Sequence, residues 1–69
     1  MNDLHKRLLD AHARDDRHGL VTLYAAAADQ APDANAACFM LTHAYVFGLE
    51  VDHPLVPSLF ARLKAQGRL

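Results

Sequence analysis

The chain has 69 residues, of which 52% are hydrophobic, and its 7 basic and 8 acidic residues leave a formal net charge of −1. That length holds a single domain (residues 1–69), and the apolar content is too high for a disordered chain. The charges are mixed along the chain with no basic block to track a phosphate backbone, so nucleic acid is not expected as a partner.

The start, Met1-Asn2-Asp3-Leu4-His5-Lys6-Arg7, lacks the apolar run of a signal peptide. The most apolar stretch, 34–51, is broken by Asn35, Thr42, His43, Gly48 and Glu50. It reads as a buried or interface helix, and no membrane association is expected. A lone Cys38 excludes an intrachain disulfide and fits a reducing compartment such as the cytoplasm. A core this small rarely supplies more than about 3–5 kcal/mol, so helical regularity or self-association is expected to add the rest.

The first helix is expected from about Asp3 to Arg14, with Asn2 as its N-cap and Leu4, Leu8 and Ala11 as its apolar stripe. Asp15-Asp16 makes a break, and acids there suit the positive end of the next helix. The second helix runs over about 17–30, with Leu20, Leu23, Tyr24, Ala27, Ala28 and Ala31 at helical spacing. Pro32 ends it, because a residue before proline is pushed out of the α region. Asp33 caps a third helix that continues to about Glu50, where Asp52-His53-Pro54 closes it. A fourth follows over about 55–66, with Pro57 tolerated only in its first turn and Gly67 as a stop. The fold class is therefore all-α: four helices in two antiparallel hairpins, over 2–31 and 33–67. A plain antiparallel four-helix bundle is the alternative.

Helices two and four carry a common pattern. Leu20, Leu23, Tyr24, Ala27, Ala28 and Ala31 align with Val56, Leu59, Phe60, Leu63, Lys64 and Gly67, 36 residues later. Leu4, Leu8 and Ala11 align more weakly with Leu41, Tyr45 and Gly48 at 37, and Asp16 with Asp52 as capping acids at 36. A period in the mid-thirties marks stacked helix–turn–helix units. Leu41-Thr42-x-x-Tyr45-x-x-Gly48 followed by Leu59-Phe60-x-x-Leu63-Lys64-x-x-Gly67 resembles a Sel1-type repeat, a relative of the tetratricopeptide repeats. Leu23-Tyr24-x-x-Ala27-Ala28 resembles the second helix of a preceding unit. Thr42 stands where the family has a small glycine, and the family's Gly-x-Gly turn is absent. The resemblance implies a right-handed stack of about two units whose first helices line a concave, ligand-binding surface.

On the third helix, Ala37, Leu41, Ala44, Tyr45 and Gly48 cluster on one side, expected to meet helices two and four. The other side carries Ala36, Phe39, His43, Val46, Phe47 and Glu50, with Met40 at its margin. A helix apolar on all sides is expected to be buried on all sides. Three fates are open for this second side: core beneath the first helix, a self-association surface, or a groove for another protein. Under the family resemblance the groove positions are Ala36, Phe39, His43, Val46 and Phe47, with Asn2, Lys6, Leu9 and Asp10 at its edge. Two repeats are fewer than the three such arrays usually need, so a homodimer is expected, with Phe39, His43 and Phe47 against their symmetry mates.

The five histidines raise metal binding. No pair has i, i+3 or i+4 spacing, and neither CxxC nor HExxH occurs, so no metal ligand and no cofactor is expected. Cys38 has no basic neighbour in sequence and reads as a packed thiol. The three glycines are isolated, so no phosphate loop exists. The expected function is a non-enzymatic protein-interaction or scaffold module. The alternative is a regulatory protein that binds a small ligand or a metal through its histidines.

Overall fold

The computed structural model describes residues 3–69. The N-cap and groove-edge roles assigned to Asn2 lie outside them. Four helices follow one another: α1 (Asp3–Ala13), α2 (Arg17–Asp29), α3 (Ala34–Val51) and α4 (Val56–Ala65). Each boundary falls within one or two residues of the sequence expectation, and no strand occurs among the described residues. Each helix packs on its neighbour in the chain, and the α2–α3 contact is the most extensive. The Cα atoms occupy a slab of 31 × 28 × 13 Å.

The helix starts follow from two aspartates. Asp16 accepts the Gly19 N–H at 3.1 Å and caps α2, and Asp33 accepts the Ala36 N–H at 2.8 Å and caps α3. Each satisfies one of the unpaired donors at a helix N-terminus. Replacing Asp33 with Ala should cost about 0.5–2 kcal/mol, read as an earlier midpoint in urea.

The helix ends share a second device. Asp16 N–H donates to Ala11 O, His53 N–H to Gly48 O and Arg68 N–H to Leu63 O, at 2.9, 2.9 and 3.0 Å. The residue before each donor is left-handed: Asp15 at φ 54°, Asp52 at φ 53° and Gly67 at φ 72°. This is the Schellman closure, in which the left-handed residue normally is glycine. Asp52 therefore terminates α3 and does not cap α4; Leu55 stands at the start of α4 with no side-chain cap bond. The recurrence pairs Ala11 with Gly48 and Asp15 with Asp52, both 37 residues apart. Replacing Asp52 with Gly should remove left-handed strain and add about 0.5–1 kcal/mol, visible as a later urea midpoint with unchanged slope.

The core gathers Val21 and Ala28 of α2, Cys38, Leu41 and Ala44 of α3, and Leu59 and Leu63 of α4. Ala11 is the buried residue of α1. Val21, outside the stripe read from sequence, is fully buried because α2 has a helix on either side. Small residues set the spacing between elements. A Cβ on Gly48 would lie 2.9 Å from Val56 Cγ2, so α3 meets α4 there closer than any side chain would allow, while Val21 Cγ2 of α2 sits at an ordinary 3.8 Å. Cys38, read from the sequence as a packed thiol, is buried in this core.

Candidate functional site

The second side of α3 divides into two rows. Ala36, Met40, His43 and Phe47 lie at i, i+4, i+7, i+11 and are half-buried. Phe39, Thr42, Val46 and Leu49 lie at i, i+3, i+7, i+10 and are exposed. The first row turns toward α1 and α2, and the second faces away from every helix of the fold.

Aromatic contacts cover the first row. Tyr24 of α2 stacks on His43 at 5.0 Å between centroids and on Phe47 at 6.0 Å. His12 of α1 meets both Tyr24 and Phe47 edge-on, at 5.8 and 6.0 Å, and its Nε2 shares a 2.8 Å hydrogen bond with Tyr24 Oη. Phe39 extends the series outward, 4.5 Å from His43. The His43 Nδ1–H donates to Phe39 O at 2.8 Å, which fixes the ring along its own helix. Beyond this ladder, Ala36 and Met40 share a cleft of about 260 Å³ with Leu4, His5 and Leu8 of α1. Helix α1 thus reaches Ala36, Met40 and Phe47 and leaves the outer row uncovered. Lys6 and Leu9, placed at the groove edge from sequence, are exposed on α1, and neither lines this cleft.

The outer row retains much of its accessible surface: Phe39 is 60% exposed, Val46 50% and Leu49 56%. Contiguous exposed apolar surface of this kind marks binding sites. Two shallow clefts flank it. One, of about 340 Å³, is lined by Asn35, Cys38, Phe39, Thr42, His43 and Arg68; the other, of about 230 Å³, by Thr42, His43, Val46 and Phe47. Polar contacts flank both ends of the row. Arg68 sits at the N-terminal end, where its guanidinium donates to Asn35 Oδ1, and exposed Glu50 at the C-terminal end pairs with Arg17 at 3.4 Å.

Sequence reasoning did not assign Leu49, Tyr24 or His12 to this region. Leu49 had a signal, since Phe39, Thr42, Val46 and Leu49 repeat at the 3–4–3 spacing of a coiled-coil seam. His12 and Tyr24 had none, because their meeting depends on how α1 crosses α2.

The remaining histidines lie elsewhere. His18 and His53 approach to 5.6 Å between ring centroids, and His53 Nδ1 accepts the Leu55 N–H at 3.1 Å. Among the described residues no group of three or more His, Cys, Asp or Glu is gathered as metal ligands. Every buried side-chain nitrogen or oxygen among them has a hydrogen-bond partner. None of their helices is long and apolar enough to cross a membrane. Compared with protein-family models, with curated proteins and with solved structures, the chain matches none of them.

Proposed function

We propose that the protein is a non-enzymatic interaction module that self-associates through the outward row of α3. The observation that carries this reading is the exposure of Phe39, Val46 and Leu49 together on one face. Leaving about half of each of three large apolar side chains in water forgoes about 1–1.5 kcal/mol each, a substantial amount beside the stability of a 69-residue chain. Docking that face on a second copy recovers it. The buried thiol of Cys38 accords with a cytoplasmic setting.

The matched turns at Ala11–Asp16 and Gly48–His53 support reading the two hairpins as successive Sel1-like units. A two-unit stack leaves end surfaces that longer arrays bury, which is a further reason for pairing.

The test is sedimentation velocity across a concentration series from about 1 to 500 μM. A dimer–monomer transition in that range is the expected result, and a monomer throughout excludes the reading.

A further inference from the structure

We infer that α1 is a releasable cover: it undocks and unwinds as a unit while α2, α3 and α4 stay folded, and its release uncovers the inner row of α3. The inference concerns the single chain and stands with or without self-association. The buried core is drawn from α2, α3 and α4 alone. Two buried residues stand outside it, Ala11 of α1 and Leu20 of α2, each 1% exposed. Ala11 is the one buried residue among the eleven of α1. Toward its N-terminus the helix stands off, where Leu4, His5 and Leu8 line an open cleft of about 260 Å³ with Ala27, Ala31 and Met40. Elements with so few buried apolar groups open at free energies well below that of the whole fold. A helix of eleven residues does not persist alone in water, so leaving its seat also unwinds it.

The rest of the chain is held without α1. Asp16 caps α2 through the Gly19 N–H, and Arg17 pairs at 3.4 Å with Glu50 near the end of α3. The start of α2 is thereby fixed from its own side of the turn, and left-handed Asp15 makes the joint. Tyr24 keeps its stacking on His43 and Phe47, because those contacts join α2 to α3. His12 acts as the latch: its ring meets Tyr24 and Phe47 edge-on and shares a hydrogen bond with Tyr24 Oη. Once it leaves, Ala36, Met40 and Phe47 join Phe39 and Val46 in a single apolar surface. The position of α1 therefore sets how much of α3 the protein presents.

Native-state hydrogen exchange on the full chain tests this, at a concentration where sedimentation shows a monomer. In the wild type, amides in the last turn of α1 should be at least about 30-fold less protected than those of residues 41–44, with little dependence on urea. Leu63→Val weakens the core that α4 completes. It should cost residues 41–44 about three- to tenfold of their protection and leave α1 unmoved, because that core survives the release of α1. His12→Ala should cost both segments a similar factor, about two- to tenfold, because the latch exists only in the closed state. Equal protection of the last turn of α1 and residues 41–44 in the wild type would make the chain one cooperative unit and overturn the inference. So would a loss of α1 protection in Leu63→Val that matches the loss in α3. Protection of α1 unmoved by His12→Ala would remove the latch.

Discussion

Replacing Phe39 with Glu is expected to give a monomer that keeps its full helix content. Phe39 is 60% exposed in the single chain, where its one ring contact is with His43 at 4.5 Å. Losing that contact on a solvated face should change monomer stability by no more than about 0.5 kcal/mol. At a two-fold interface the effect is far larger. Each copy loses the burial of a phenyl that is 60% exposed in the single chain, worth about 1–2 kcal/mol, and gains a carboxylate against an apolar seam. Counted over both copies, that should raise Kd by at least about 100-fold. Sedimentation velocity reads the association, and far-UV circular dichroism reads the fold. Ala61→Glu, on exposed surface of α4, is the control and should leave the dimer unchanged. A Phe39→Glu protein that still dimerises with wild-type affinity would remove α3 from the interface.

The order and limits of the helices were legible because their signals are local. Asp16 and Asp33 bond to backbone three residues ahead, Pro32 acts on its immediate neighbour, and helical stripes extend over two or three turns. What was not legible depended on which neighbour each helix meets. Helix α3 is apolar nearly all round, so its periodicity has no phase to say that Ala36, Met40, His43 and Phe47 turn inward and Phe39, Val46 and Leu49 outward. The two rows lie about 110° apart around the axis, and the crossing of α1 decides which of them is covered. Val21 was missed for the same reason, since a single stripe describes a helix with one neighbour and α2 has two. Asp52 was read both as part of the segment that closes α3 and as a capping acid, because an acid near a helix boundary suits the end of one helix or the start of the next. Its left-handed φ of 53° decides for the end of α3.

Truncating Leu59 to Ala should remove half or more of the domain's stability. Helix α4 has ten residues, no side-chain N-cap bond and a proline in its first turn, so it cannot persist alone in water. Its hold on the rest is Leu59 and Leu63, both essentially without solvent exposure, on a core that includes Leu41 and Ala44. A buried Leu→Ala change costs about 2–5 kcal/mol through lost transfer energy and the cavity left behind. A chain of this size holds roughly 3–10 kcal/mol in all. The variant should therefore lose half or more of its stability, and its melting temperature should fall by at least about 10 °C. Phe60, next in sequence but 41% exposed, with the Tyr45 ring 6.2 Å away between centroids, makes the contrast: Phe60→Ala should cost about 1 kcal/mol or less. The Cys38 thiol gives an independent readout, because it is buried on the face of α3 that α4 and the Arg68 segment help to cover. If α4 detaches, Cys38 should react with a thiol reagent many times faster in Leu59→Ala than in wild type. The Asn35–Arg68 contact at the end of the outward row should be lost with it. A Leu59→Ala protein with wild-type melting and a protected Cys38 would mean that α4 is not anchored through this core.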